Sequence, residues 1–443
     1  MTRRDWLKAS GLATHLLAGQ RLAHPQTRPD YALTIGPCSW ELSPRRTIKT
    51  TAYNGQVPGP LLGLREGQPV TIDVTNQTQD HEVVHWHGLF LPSQVDGAME
   101  EGTPPIPPGR TARYTFTPRP AGFRWYHTHV SAGTNFSKGQ YTGQHGFLWV
   151  EPRENPGRYD QEIFLTLHDW RGQMLASDDG SMNPSYDLST VNGRVLGFGD
   201  PLRVRAGRRV LLHLLNSSAT EVHWISLSGH SFYVVALDGN AIPQPASVSM
   251  LRLAPAERIS AIVVMNNPGV WVLGEVRKHI QAAGMGVVVE YAGQSGKPSW
   301  EQPDRLIWDY LRFAAASIEA PASAPESAID IPLVFESKFA GHGAMDHWTI
   351  NGRSFPNTET VALKPGNRYR LIFKNRSKED HPVHLHRHLF ELMRSGIRKD
   401  TVLVEAGTEL PVEFTADNPG ATLFHCHQQN HMDAGFMMLF RYA

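Results

Sequence analysis

The chain has 443 residues, long for one average domain and suited to two or three. Lysine plus arginine equal aspartate plus glutamate, 42 against 42, so no basic excess points to a nucleic-acid partner. No apolar stretch reaches the roughly 18 residues a membrane helix requires, and two cysteines, Cys38 and Cys426, cannot make a disulfide framework.

At the N-terminus, Thr2-Arg3-Arg4-Asp5-Trp6-Leu7-Lys8 precedes a weakly apolar run over residues 9–19. Twin arginines followed by an aromatic, Leu and Lys resemble a bacterial twin-arginine export signal, a route for folded proteins. Residues 1–29 are therefore read as signal and leader, without a clean small-x-small cleavage site. The expected partner is the twin-arginine export machinery and the expected location is periplasmic or secreted.

Beyond the leader, short apolar segments recur between Gly, Pro, Asn and Asp, for example Val70-Thr71-Ile72-Asp73-Val74 and Arg113-Tyr114-Thr115-Phe116. With 39 Gly and 32 Pro, few stretches suit long helices, and the pattern predicts an all-β chain of sandwiches or barrels. Three parts echo one another: Glu66-Gly67 to Asn76, Ala206-Gly207 to Asn216, and Pro365-Gly366 to Asn375 each run from a turn along a strand. A histidine follows each Asn: His85, His223 and His384. Proline-rich or alanine-rich breaks near 151–157 and within 293–328 divide the chain into 30–152, 153–292, a linker at 293–326, and 327–443.

The chemistry lies in four histidine groups: His85-Trp86-His87, His127-Thr128-His129, His381-Pro382-Val383-His384-Leu385-His386, and His425-Cys426-His427 followed by His431. Side chains alternate along a strand, so each His-x-His pair presents two imidazoles on one face. In the last group Cys426 faces away from His425 and His427, and one tripeptide can touch two metal centres. A thiolate favours copper and imidazole suits it, so Cys426, His431 and a distant histidine fit an electron-transfer copper. The middle part, Glu221-Val222-His223-Trp224-Ile225, lacks a His-x-His and reads as a metal-free spacer. Ligands at both ends of the chain require the first and third parts to pack together. A Cys38–Cys426 disulfide is the competing pairing, and it leaves the surrounding histidines without a purpose.

These four motifs, with Asn54-Gly55-Gln56-Val57-Pro58-Gly59-Pro60, Ile106-Pro107-Pro108-Gly109 and Asp238-Gly239, resemble the multicopper oxidases in their three-domain, laccase-like form. The resemblance implies three cupredoxin-like Greek-key β-barrel domains and four copper ions. It implies that His381, Cys426 and His431 hold a type 1 copper, His85 and His384 a type 2 copper, and His87, His127, His129, His386, His425 and His427 a type 3 pair. A small reducing substrate, a phenol or aromatic amine, would give electrons one at a time near His431, and O2 would become two waters.

The chain departs from the family in two places. Phe436 stands ten residues after Cys426, where many members carry an axial Met, and a register shift would instead bring Met437 there. Met432 stands where bacterial relatives often carry a Glu after the last type 1 histidine, leaving Asp96 as the expected proton relay. The alternatives are a cuprous or ferrous oxidase in copper tolerance, for which Met432 and Asp433 are the nearby candidate ligands, and a non-catalytic periplasmic copper-binding protein. His388 reads as a ligand neighbour or an exposed residue, and the stretch from His342 to His347 as a solvated loop.

Overall fold

Period-two burial marks several of the sheet-forming strands, while others are buried on both faces. Val70–Asn76 and Arg368–Asn375 each alternate buried and partly exposed residues along their whole length, as strands with one face on a core do. The computed structural model describes residues 28–152, 158–177, 180–304, 306–315, 328–392 and 395–443. Residues 1–27 of the proposed signal and leader, with Arg3 and Arg4, lie outside them, as do residues 305 and 316–326 of the expected linker.

The strands form three units, each cupredoxin-like and built of two main sheets, and the second carries an extra two-stranded ribbon of Gln173–Ala176 and Met182–Ser185. The first has two four-stranded sheets, the second and third a six-stranded and a five-stranded sheet each. Among the described residues no helix is long and apolar enough to cross a membrane.

The threefold echo in the sequence is a shared turn. Asn76, Asn216 and Asn375 each end a strand, and each side-chain oxygen accepts the backbone N–H two residues on, at Thr78, Ser218 and Ser377. Each Nδ2 donates across to the neighbouring strand or loop: to Ile106 O at 2.7 Å, Leu253 O at 2.8 Å and Val404 O at 3.1 Å. The residues paired with those three carbonyls are Glu82, His223 and His381. His223 thus matches His381 in space rather than His85 or His384.

Two adjoining strands position the sites. Val84 pairs with Thr128, Ile225 sits opposite Glu275, and Val383 opposite Cys426. One structural position therefore holds Thr128, Glu275 and Cys426 in the three units. Between the second and third units, Trp308, Tyr310 and Phe313 are buried in one cluster that runs through both, so this part of the connection is a packed strap.

Candidate metal centre

Cys426 ends strand Ala421–Cys426 with its side chain in the core beside Phe424 and Phe436. The short helix Gln429–Asp433 returns His431 to it, and strand His381–Leu385 supplies His381. Cys426 Sγ lies 3.7 Å from His381 Nδ1 and 3.6 Å from His431 Nδ1, and the two nitrogens are 3.1 Å apart. The far nitrogens are anchored: His381 Nε2 is 2.9 Å from Ser377 Oγ and His431 Nε2 is 3.1 Å from Glu379 Oε2. Burial pushes the Cys426 thiol well up and holds His381 well below the usual imidazole range, with His431 adding to the latter. A metal that draws off the thiol proton and accepts two neutral imidazoles suits this trio.

Aromatic rings wall it in. The Trp348 ring centroid is 4.2 Å from that of His431 and 4.6 Å from that of His381. Phe436 is fully buried with its ring 4.8 Å from His381. Met437 instead packs with Ala98, Leu423 and Met432 in a separate cluster.

On the opposite face of the same strand end, eight buried histidines converge: His85, His87, His127 and His129 from the first unit, and His384, His386, His425 and His427 from the third. Three sets place ligand atoms within 4.8 Å of one another: His85, His384 and His386; His85, His87 and His127; His129, His386 and His425. The His87, His127 and His427 rings are mutually 5.1 to 5.6 Å apart.

The outer nitrogens decide which atoms face inward. Nδ1 of His85, His127, His384 and His425 each lies 2.7 to 2.9 Å from a backbone carbonyl, of Asp96, Thr128, Asp400 and Cys426 respectively. Nδ1 of His386 lies 2.9 Å from Asp96 Oδ2. The proton is thereby placed on Nδ1, and each Nε2 keeps its lone pair. Among the described residues, Nε2 of His85, His127 and His384 has no hydrogen-bond partner. His425 Nε2 stands 3.1 Å from His386 Nε2, acceptor against acceptor, and 3.4 Å from His129 Nε2. Burial, chiefly, lowers His129 to about 3 and holds His386 and His425 well below the usual imidazole range, so protonation does not relieve these contacts. Buried acceptors without donors fit bound cations, and imidazole with thiolate nearby fits copper.

Asp96 is fully buried, with Oδ2 also 3.2 Å from His85 Nδ1. Three neighbours carried no motif signal. Glu101 stands 3.4 Å from His386 Nδ1, and burial, then the charge of Asp96, holds its carboxyl well above the usual range. Asp400 Oδ1 is 3.0 Å from His87 Nε2. Glu379 precedes His381 by two residues, the only hint it offered.

Other sequence candidates find different places. His388 is buried, with Nε2 2.7 Å from Tyr442 Oη and Nδ1 3.0 Å from His386 O, and points away from the cage nitrogens. Met432 is buried, and Asp433 accepts the backbone N–H groups of Ala132 and Gly133. His347 is exposed, while His342 lines a cleft of about 570 Å³ together with Trp348 and Glu379. Cys38 and Cys426 are both free, so they do not form a disulfide.

Three family models, each described as multicopper oxidase, match residues 35–155, 161–288 and 334–443. The chain is 29% identical to the multicopper oxidase MmcO of Mycobacterium tuberculosis, over 88% of this chain and 82% of that protein. It is 25% identical to copper resistance protein A of Escherichia coli, over 91% of each. The crystal structure of a multi-copper oxidase from Pseudomonas thermotolerans superposes with a TM-score of 0.73 at 28% identity, covering 93% of this chain and 98% of that one.

Proposed function

The chain belongs to the multicopper oxidase family and is a copper-dependent, O2-reducing enzyme, and from that premise we propose that it acts as a laccase on phenols or aromatic amines. Bound copper supplies one-electron oxidation of the donor at the thiolate site and reduction of O2 to water in the histidine cage.

In this reading His381, Cys426 and His431 would hold the type 1 copper, with Phe436 packed beside them and supplying no thioether. His85 and His384 hold the type 2 copper. His87, His127 and His427 hold one type 3 copper, and His129, His386 and His425 the other. Each two-sheet unit is read as a Greek-key barrel, and residues 1–29 as the export signal that takes the folded enzyme to the periplasm or beyond.

The observation that carries the substrate reading is the cleft of about 570 Å³ lined by Trp348 and Glu379, both of which contact the buried His431. Its size suits a small aromatic molecule. Trp348 seals its floor against the two histidines, and Glu379 lies against His431 Nε2. A phenol O–H or anilinium N–H that donates to Glu379 is held one side chain away from His431. From there Cys426 and its chain neighbours His425 and His427 give a covalent path to the cage. Asp96, buried between His85 and His386, is the residue we assign to deliver protons there.

The runner-up is a cuprous or ferrous oxidase, favoured by Glu336, Asp346 and Glu379 in the same cleft. Lys338, Arg376 and Lys378 line it too, so its charge balances and does not concentrate cations. The test is O2 uptake by the copper-loaded protein with a phenol and with Cu(I) in parallel. Phenol-driven uptake supports the laccase, and uptake on Cu(I) alone replaces it with the metal oxidase.

A further inference from the structure

The middle unit holds none of the assigned copper ligands, yet one of its side chains reaches the cage. Arg258 opens strand Arg258–Val264 and is fully buried. Its Nη1 and Nη2 donate to Oδ1 and Oδ2 of Asp400, each at 2.6 Å. That carboxylate lies 3.0 Å from His87 Nε2, and the backbone carbonyl of Asp400 lies 2.7 Å from His384 Nδ1.

The fork is held on its own side as well. Arg258 Nη1 donates to Ala256 O at 3.0 Å, Nη2 to Asp238 O at 3.1 Å, and the backbone N–H to Asp238 Oδ1 at 3.0 Å. Asp238 Oδ2 in turn accepts the N–H of Thr401 at 3.2 Å, tying the loop that carries Asp400 to the middle unit. Space for this comes from Gly88, directly after His87. A Cβ there would stand 2.7 Å from Asp400 Oδ2 and 2.8 Å from Arg258 Nη2, at a φ of +83° that side chains rarely adopt.

The consequence is a reversed imidazole. Five cage histidines meet an oxygen through Nδ1, whereas His87 meets Asp400 Oδ1 at 3.0 Å and Thr401 Oγ1 at 3.3 Å through Nε2, and its Nδ1 has no partner among the described residues. A neutral imidazole carries one proton, and a fixed carboxylate claims it on the nitrogen it faces. Without the arginine fork Asp400 keeps, besides His87 and among the described residues, only Thr401 Oγ1 at 3.1 Å and the more distant Arg124 at 3.6 Å. Neither spans both oxygens, so the carboxylate could rotate and His87 would lose both its orientation and its tautomer.

We propose that Arg258 is a positioning residue for the histidine cage: by gripping both oxygens of Asp400 it makes His87 present Nδ1 to the coupled copper pair. A unit without ligands thereby sets one ligand of the neighbouring site. The proposal rests on the copper assignment above.

The test compares full-length wild type with Arg258→Lys and Arg258→Gln, each loaded with Cu(II). Lysine keeps the buried positive charge but, as a point donor, cannot span both carboxylate oxygens. Both variants should keep the blue band of the thiolate site, which Arg258 does not touch. They should lose the near-ultraviolet absorption of the coupled pair, raise the share of copper visible by electron paramagnetic resonance, and bind cage copper roughly 10–100-fold more weakly. An Arg258→Lys protein with wild-type near-ultraviolet and resonance signals overturns the proposal. So does a parallel fall of blue band, coupled-pair signal and melting temperature, which marks a merely structural arginine. If Arg258→Gln does not fold, Arg258→Lys decides. A wild type without the coupled-pair signal sinks the copper assignment itself.

Discussion

Glu379 Oε2 stands 3.1 Å from His431 Nε2, while Nδ1 of the same ring points at Cys426 Sγ from 3.6 Å. One imidazole therefore links a solvent-facing carboxylate to a fully buried thiol. Glu379 is 38% exposed, enough for a donor to reach it. Charge-assisted hydrogen bonds contribute about 1.5–3 kcal/mol, so Glu379→Gln should raise KM for phenols by roughly tenfold or more. The blue band should stay, because the ligands are untouched. Steady-state O2 uptake against phenol concentration checks this, and an unchanged KM would place the donor elsewhere.

At the inner end of the same site, Phe436 packs against His381 and offers no donor atom. A thioether there would stabilise Cu(II) over Cu(I). Phe436→Met should therefore lower the type 1 potential, on the order of the 59 mV that corresponds to tenfold for one electron. Oxidation of high-potential phenols should slow before that of easily oxidised ones. Redox titration of the blue band measures the shift, and a potential that does not fall would mean position 436 is not axial.

The ligand-type side chains were legible because strand alternation forces each His-x-His onto one face, and alternation is a local property. Their convergence was legible too, since one cage drawing on both ends of the chain demands contact between the first and third units. The residue-by-residue match of the middle unit was not legible. Seven residues separate Asn216 from His223, against six from Asn76 to Glu82 and from Asn375 to His381. Counting from the Asn therefore slips by one, and only strand pairing shows that His223 matches His381. Asp400, Arg258 and Glu379 carried no motif, because each acts through a partner distant in the sequence or outside any histidine pair.

Eight imidazoles from two units meet in the cage, four from each, so bound copper is also a cross-link. Without it their buried lone pairs face one another. Ligand that binds only the folded state adds about 2.7 kcal/mol at a hundredfold excess over its Kd. Stripping copper with a chelator should lower the melting temperature and loosen contact between the first and third units before the middle unit unfolds. Calorimetry with hydrogen exchange on residues 84–87 and 381–386 tests the order. Equal melting of copper-loaded and stripped protein would show that the cage is stable empty.

The middle unit has replaced its metal position with charge. His223, the counterpart of His381, sits 3.0 Å from Asp169 Oδ2 and 3.0 Å from Glu275 Oε2, and Glu275 occupies the position of Cys426. Burial acts to lower His223, but Asp169 and then Glu275 overcome it and raise the ring to about 10. A group raised on folding contributes fully below its unfolded value, near 6.5, and loses that contribution as pH rises through about 10. Asp169 and Glu275 are lowered despite burial, with His223 foremost among the groups that lower them, so their share is lost only when pH falls below the ordinary carboxylate range. The stabilising window thus runs from above that range to about 6.5 and fades toward 10. His223→Gln should cost about 3–5 kcal/mol inside this window, because the buried Asp169 loses its cationic partner and Glu275 is left, among the described residues, with Arg277 as its one cationic partner. The gap to wild type should narrow steadily in denaturant titrations from pH 6 to pH 10. A gap independent of pH would mean that His223 is neutral in the folded protein and that packing, not charge, holds the middle unit.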